Sequence, residues 1–390
     1  MSKFWRVGKE EISFVEKAIN NGLNGKYVSE FEEKFSLKFD IKYSIALNSG
    51  TSALHASLAA LDIGPGDEVI VPPLTFIATA FSVLYVGAIP VFADINPDSF
   101  NISVDEIHKK ITRKTKAIIT VALYGLPPQL DQIKKIAEKN KLFLIEDNAQ
   151  CVYGKCNNKL AGSFGDLSIF SLQRSKHLTT GDGGVVITNN ENLAEKVRKF
   201  ADLGYAKLTA KPVTNESFKD IIQDPNYKRH LSVGFNFRMP EVCCAMGLAQ
   251  LEKLDYFIKL RTEISLRYLD AVSGCDWIKV QKIDPNLTHS WWSFVFMLCP
   301  ERNGVTWKNF KKEFKNNGGD SFYGAWSLSY LEPALIGMKF KENKSFFDKG
   351  LCPLAESVQP YLVQLKTNYS DINYAIEQSI ALKNTINFFS

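Results

Sequence analysis

The sequence lacks the cysteine and histidine patterns that mark metal sites and disulfide frameworks. Its 390 residues include seven cysteines, an odd number, and five scattered histidines, with no Cys-x-x-Cys pair and no His-Glu-x-x-His motif. Cys151 and Cys156 lie close in sequence, but their spacing matches no strong metal motif. We therefore expect no metal ligands, no disulfide framework and a reducing compartment.

The sequence also has little excess charge of either sign. The formal net charge is +5, and the basic residues form no block and do not alternate with aromatic residues. Proteins that bind nucleic acid usually show such a basic patch. The opening residues MSKFWRVGKEE contain no apolar run of the kind found in signal peptides. These absences predict a cytoplasmic protein without a nucleic-acid partner.

One uncharged run, Val69–Ala93, is long enough to cross a bilayer. It is interrupted by Pro72, Pro73, Gly87 and Pro90, which do not suit a continuous membrane helix. The run therefore predicts the end of a strand, a turn, a buried helix and the next strand. We expect no membrane association.

The length of the chain and the order of its apolar segments indicate two domains. In residues 1–250, short apolar runs alternate with helical patterns, as in a mostly parallel sheet covered by helices on both faces. Residues 251–390 predict a smaller α+β domain. The fold class is therefore α/β, with a large cofactor-binding domain followed by a small C-terminal domain.

Several polar or aromatic residues follow the predicted strands, where parallel sheets bind their ligands. The stretch 48–52 (NSGTS) would offer backbone amides and hydroxyls to a phosphate, although ordinary helix capping would use the same residues. Asp147 ends a buried strand and could pair with a pyridinium nitrogen, or serve as an N-cap. Gln150 could reach a ring hydroxyl. Phe76 could stack on a pyridine ring, or simply be a core residue.

The segment 170–190 carries the strongest signal in the chain. Ser171 closes one apolar run, Lys176 follows, and the turn 181–184 (GDGG) leads into a second apolar run. A lysine held on such a turn is placed to form an imine with an aldehyde cofactor, whereas the alternative is a hairpin with a solvated lysine. Downstream, the segment 234–241 (GFNFRMPE) could complete a phosphate site. Together these pieces fit pyridoxal 5'-phosphate.

In their order and spacing, these pieces resemble the DegT/DnrJ/StrS family of sugar aminotransferases, which have the aspartate aminotransferase fold. The resemblance covers most of Glu10–Asp255. The matching stretches are NSGTSAL (48–54), GDEVIVPPLTFIATA (66–80), IEDNAQ (145–150), GSFGDLSIFS (162–171), TTGDGGVV (179–186) and GFNFRMPEVCCAMGLAQLEKLD (234–255).

The resemblance implies a role for each matched residue. Lys176 looks like the Schiff-base lysine, and Asp147 like the partner of the pyridine nitrogen. The remaining cofactor contacts would be Gly50, Thr51, Ser52 and Ser171 at the phosphate, Phe76 on the ring face, Gln150 at the ring hydroxyl, and Asn236 reaching the phosphate of a neighbouring subunit. A homodimer with shared active sites is implied, together with amino transfer from an amino acid, expected to be L-glutamate, to a keto sugar that is expected to be nucleotide-linked.

Some features depart from the family pattern and leave the substrate open. The turn carries Asp182 where glutamate is usual, and Trp292 stands where histidine is frequent in the family. A cyclitol ketone is an alternative acceptor. Relatives that act as dehydratases use histidine in place of the lysine, and His177 adjoins Lys176, but the spacing from Ser171 favours Lys176. A sensor without activity is a third alternative. The polar segment Ala206–His230 is expected to form a lid or a bridge between subunits.

Overall fold

The computed structural model describes residues 6–205, 223–340 and 343–390. Residues 206–222, which make up most of the segment expected to act as a lid or a subunit bridge, lie outside the described residues, so that hypothesis stays a prediction. The helices are α1 (Lys9–Asn20), α2 (Lys26–Phe39), α3 (Gly50–Ala60), α4 (Ala78–Tyr85), α5 (Val104–Lys110), α6 (Leu130–Asn140), α7 (Glu191–Ala201), α8 (Glu241–Glu252), α9 (Leu254–Val272), α10 (Pro300–Asn303), α11 (Trp307–Asn316), α12 (Pro353–Val358) and α13 (Ile372–Phe389).

Short 3-10 turns occur at Leu123–Gly125, Ser329–Leu331 and Gln359–Tyr361. The strands are β1 (Tyr43–Leu47), β2 (Glu68–Val71), β3 (Ile89–Phe92), β4 (Thr115–Val121), β5 (Phe143–Asp147), β6 (Lys155–Cys156), β7 (Lys159–Leu160), β8 (Leu167–Ser171), β9 (Gly184–Thr188), β10 (Ile278–Val280), β11 (Leu287–Thr288), β12 (Ser293–Leu298), β13 (Tyr323–Gly324), β14 (Lys339–Phe340), β15 (Asn343–Phe346) and β16 (Leu362–Lys366).

A seven-stranded sheet forms the centre of the molecule, in the order β1-β9-β8-β5-β4-β2-β3. The strands from β8 to β3 pair in parallel, whereas β9 pairs antiparallel with both β8 and β1. Hydrophobic clusters lie on both faces of this sheet, one with α3 and α4 and another with α5 and α6. The predicted α/β class with a mostly parallel sheet between helices is confirmed.

The uncharged run Val69–Ala93 forms β2, α4 and β3, as its prolines and glycine predicted. Helix α4 is only eight residues long, and most of its residues are buried. A short helix that is apolar on all sides is typical of a protein core. Across the described residues, no helix is both long and apolar enough to cross a membrane.

A smaller sheet follows in the last third of the chain, in the order β10-β12-β16-β13. Its strands pair antiparallel, and its apolar side chains share a core with the facing sides of α9, α11 and α13. This is the α+β arrangement predicted for the C-terminal part. The division of the chain at residue 250 stays a prediction.

Strand β9 closely approaches the turn that starts α3, and a glycine makes this possible. A Cβ atom on Gly184 would lie 2.3 Å from the carbonyl oxygen of Ser49. Real Cβ atoms do not come that close to backbone, so any side chain at position 184 would push β9 away from α3. The turn and the strand therefore fit together only with glycine there.

We expect Gly184→Ala to lower the free energy of unfolding by about 2–4 kcal/mol, because the added methyl group must displace backbone rather than a flexible side chain. Urea unfolding monitored by circular dichroism measures this. Gly64→Ala is the matched control, since its Cβ would meet only the carbonyl oxygen of Val86, at 3.8 Å. Equal effects of the two substitutions would contradict the argument.

Candidate active site

A cavity of about 380 Å³ lies at the carboxyl ends of the central strands. Its wall is built from the turns after β1, β2, β5 and β8. The structure brings together most of the residues predicted from the sequence. Those that line the cavity are Gly50, Thr51, Phe76, Asp147, Gln150, Ser171 and Lys176.

Two neighbouring carboxylates end strand β5 and serve different purposes. Glu146 is buried and accepts hydrogen bonds from the backbone amides of Gly162, Phe164 and Gly165 at 2.6–2.7 Å. Successive strand residues point to opposite faces of a sheet, so Asp147 faces the cavity instead. The sequence pair therefore places one structural carboxylate and one cavity carboxylate side by side.

The Asp147 carboxylate is held by two hydrogen bonds. It accepts one from the Thr79 hydroxyl at 3.0 Å and one from the backbone amide of Ala149 at 3.1 Å. Burial raises the pKa of Asp147, whereas these donors and the charge of Lys176 oppose that shift. A buried carboxylate of this kind is a strong partner for a cationic ring N–H.

Lys176 reaches the same cavity from the turn between β8 and β9. Burial lowers the pKa of the Lys176 amine to about 8; Asp147 works against this shift and Arg261 adds to it. The amine is therefore neutral in a useful fraction of molecules near neutral pH, as an imine-forming lysine requires. The adjoining His177 is fully buried, and its Nε2 lies 2.8 Å from the Ser290 carbonyl oxygen. Its side chain does not line the cavity, so it is not placed to take the role of Lys176.

The amino end of α3 provides the anion-binding part of the cavity. Ser49 caps this helix by accepting a hydrogen bond from the Ser52 amide at 3.0 Å. The first amides of a helix have no acceptors within it, and its positive end favours a phosphate. The side chain of Ser171 lies beside Gly50, where an added Cβ would be 3.0 Å from its Cβ atom.

Phe76 and Gln150 are placed to contact a ring. The Phe76 side chain is 51% exposed although it follows a buried strand, because it borders the cavity. Gln150 is buried, and its Oε1 accepts the Tyr124 backbone amide at 2.7 Å. That bond leaves the amide NH₂ of Gln150 as the group available to a ring hydroxyl.

Two predicted cofactor residues are not in this cavity wall. Ser52 is buried, and its hydroxyl lies 2.9 Å from that of Ser49, where it supports the capping turn. Asn236 is exposed on the far side of β1 and borders a different cavity. The resemblance assigns Asn236 to the site of a neighbouring subunit, and that assignment stays a prediction.

Sequence reasoning missed several residues at the site. Thr79 faces Asp147 from the first turn of α4, and Trp326 lines the cavity from the loop after β13. The buried Arg6 donates hydrogen bonds to the carbonyl oxygens of Arg174 and Lys176. Arg261 on α9 donates to the Trp292 carbonyl at 2.8 Å. These contacts join distant parts of the chain, so no local pattern signals them.

Together, the fold and the cavity define a pyridoxal phosphate-dependent aminotransferase. The model of the DegT/DnrJ/EryC1/StrS aminotransferase family matches residues 6–359, and the chain belongs to this family.

Individual relatives agree with that membership. The chain is 38% identical to a GDP-perosamine synthase of Escherichia coli O157:H7 over 289 residues. This aligned part covers 73% of this chain and 74% of the relative. It is 35% identical to the spore coat polysaccharide biosynthesis protein SpsC of Bacillus subtilis, over 77% and 76% of the two chains. The structure of an aminotransferase from Psychrobacter cryohalolentis superimposes with a TM-score of 0.88 at 28% identity, over 98% of each chain.

The cavity residues fit this cofactor. A buried carboxylate, a lysine of lowered pKa, a half-exposed aromatic ring and a helix amino end meet the needs of its pyridine nitrogen, aldehyde, ring face and phosphate respectively. Within the described parts of the chain, no cluster of three or more His, Cys, Asp or Glu side chains could hold a metal ion. The cysteines are all free thiols.

The lowered pKa of Lys176 leads to a measurable expectation. In the full-length chain freed of cofactor, we expect acetic anhydride labelling of the Lys176 amine to rise through a midpoint near pH 8, because burial disfavours the charged form. Peptide mass spectrometry against pH measures it. A Lys176→Ala chain labelled in parallel shows which signal belongs to this residue, and a midpoint above pH 10 would rule out a buried amine.

Proposed function

We propose that this protein transfers the amino group of an amino acid, L-glutamate, to a keto sugar that carries a nucleotide. The observation that carries the proposal is the meeting of Lys176 and Asp147 in one cavity that opens towards a larger one. The relatives named above support the sugar assignment. The product in the name of the GDP-perosamine synthase is an amino sugar linked to a nucleotide.

The outer cavity supports a substrate larger than an amino acid. It has a volume of about 940 Å³ and shares Gln173, Ser175, Trp292 and Trp326 with the cofactor cavity. Arg174 and Lys366 also line it, and they offer positive charge to a diphosphate. A sugar at the junction of the two cavities would place its nucleotide in the outer one.

In this proposal, the chain's residues hold the cofactor and move protons. Gly50, Thr51 and Ser171 bind the phosphate, Phe76 stacks on the ring, and Gln150 contacts the ring hydroxyl. Asp147 keeps the pyridine nitrogen protonated. When bound, the cofactor supplies the electron sink that makes the α-proton of the amino donor acidic. The Lys176 Nζ is the atom that takes this proton and returns it one step later.

A homodimer with shared active sites also belongs to the proposal. Asn236 is exposed, and it lies in a surface stretch with the exposed apolar side chains of Leu231, Val233 and Phe235. Apolar side chains grouped on a surface favour a protein contact. A second copy of the chain, docked on this surface, would receive Asn236 at its phosphate site.

The proposal is tested by visible spectroscopy of the cofactor-loaded protein. L-glutamate should convert the yellow form to the amino form of the cofactor, and a nucleotide-linked keto sugar should restore the yellow form. A free cyclitol ketone is tested in parallel. Restoration by the cyclitol alone would replace the proposed acceptor, and no response to any amino acid would remove the proposed reaction.

Asp147→Asn should slow the conversion by L-glutamate by a factor on the order of 10²–10³, because the amide cannot hold the pyridine nitrogen in its charged form. Its unfolding free energy should stay near that of the wild type. The matched control is Glu146→Gln, one residue away, which should instead lose roughly 2–3 kcal/mol of stability because it disturbs three backbone hydrogen bonds. A reversed pattern would contradict the roles assigned to the two carboxylates.

Mixing two inactive variants tests the shared site. Lys176→Ala and Asn236→Asp chains, refolded together in equal amounts, should regain about a quarter of wild-type activity, because half of the dimers are mixed and each has one intact site. Each variant alone stays near background. If the mixture also stays at background while native mass spectrometry shows mixed dimers, Asn236 does not act across the subunit interface.

A further inference from the structure

The indole ring of Trp292 lies directly against the lysine of the site. The Lys176 Nζ is 4.4 Å from the centroid of the Trp292 ring. An ammonium at this distance from an indole face is attracted by the negative charge of that face.

Trp292 is held in place by hydrogen bonds to its ring and to its backbone. Its indole N–H donates to the Ser175 carbonyl oxygen at 2.9 Å, next to Lys176 in the chain. Its own carbonyl oxygen accepts hydrogen bonds from Arg261 at 2.8 Å and from the Thr367 hydroxyl at 2.9 Å. The side chain is buried. Turning the ring away from Lys176 would break the indole N–H bond, while the bonds to its carbonyl oxygen hold the backbone of Trp292 in place.

The backbone before Trp292 is held in a costly conformation. Trp291 has a φ of 55°, in the left-handed region that bulky residues avoid. Its amide donates to His289 Nδ1 at 2.8 Å, and the two rings stack at 3.9 Å. Such strain persists only where the surroundings enforce it, and it is concentrated at functional sites. Here it sets the position of the following residue, Trp292.

The charged groups around Lys176 explain why its protonated amine benefits from contact with the Trp292 ring. Asp147 on β5 attracts the ammonium and Arg261 on α9 repels it. The other ionisable groups nearby are Asp182, on the cavity wall, the buried His177, and the guanidinium groups of Arg6 and Arg174, of which Arg6 donates to the Lys176 carbonyl oxygen. If Asp147 pairs with the cofactor, Lys176 needs another partner while it carries a proton. An indole face supplies that partner without taking the proton itself.

We infer that Trp292 is a positioning residue for Lys176, and that its indole face holds the Nζ at the reaction centre whenever this amine is protonated and not bonded to the cofactor. The inference rests on the proposed role of Lys176. It differs from a purely structural role, in which Trp292 would only close the cavity wall. Trp326 closes the same wall and stacks on Trp292 at 6.2 Å.

The first test is labelling of Lys176 in full-length, cofactor-free protein, which requires no substrate. In Trp292→Leu the labelling midpoint should fall by roughly half to one pH unit below that of the wild type, because an apolar side chain of similar burial lacks the negative face. Trp307→Leu is the matched control, because Trp307 lies against Lys311 and outside the lining of both cavities, and it should leave the midpoint in place. Equal shifts in both variants would overturn the inference.

Fluorinated tryptophans provide a second test in case the leucine variant does not fold. Mono- and trifluoro-tryptophan placed at position 292 keep the shape of the ring but weaken its negative face stepwise, so the labelling midpoint should fall in the same steps. In cofactor-loaded protein, the rate of conversion by L-glutamate should fall in parallel, with no change in the half-saturating glutamate concentration. A labelling midpoint that stays the same on fluorination would refute the ammonium–indole contact, even if Lys176 still reacts with the cofactor.

Discussion

The site depends on how the short turn carrying Lys176 is held in place. The turn lies between β8 and β9 and has little regular secondary structure of its own. Arg6, from the start of the described chain, donates hydrogen bonds to two carbonyl oxygens of the turn. Arg261, from α9, donates one to the carbonyl oxygen of the neighbouring Trp292. Burial of two guanidinium groups is unfavourable unless their donors are satisfied. Backbone carbonyl oxygens accept hydrogen bonds from both groups here, and the Thr367 hydroxyl accepts one from Arg261 as well. These bonds hold the turn that carries the lysine.

These arginines also explain the electrostatics of the cavity. Burial lowers the pKa of Arg6 to about 10 and that of Arg261 well below its ordinary value, and the two groups lie near each other and near Lys176. An additional carboxylate paired with these arginines would add to the effect of Asp147, which already favours the charged form of Lys176, and would work against imine formation. Neutral carbonyl partners fix the arginines without adding negative charge. The surroundings therefore position the lysine and keep it a good nucleophile at the same time.

The sequence predicted well what local patterns determine. The uncharged run Val69–Ala93 formed β2, α4 and β3, and Asp147 lies at the carboxyl end of β5, where ligands of parallel sheets bind. What it did not predict depends on long-range contacts. Nothing near Arg6 in sequence shows that its guanidinium lies against residues 174–177. Ser52 matched the motif, but its hydroxyl supports the capping turn instead of lining the cavity.

The pair Glu146 and Asp147 shows why a motif alone does not assign chemistry. Both carboxylates are buried, both end the same strand, and either could be read from the sequence as functional. The alternation of side chains along a strand separates them: one ties the loop 162–165 to the sheet, and the other faces the cavity. The structural carboxylate anchors the loop that leads into β8, and β8 leads to Ser171 and Lys176. Glu146 thus helps to position the strand that carries Ser171 and leads to Lys176, and Asp147 faces the cavity that these two residues line.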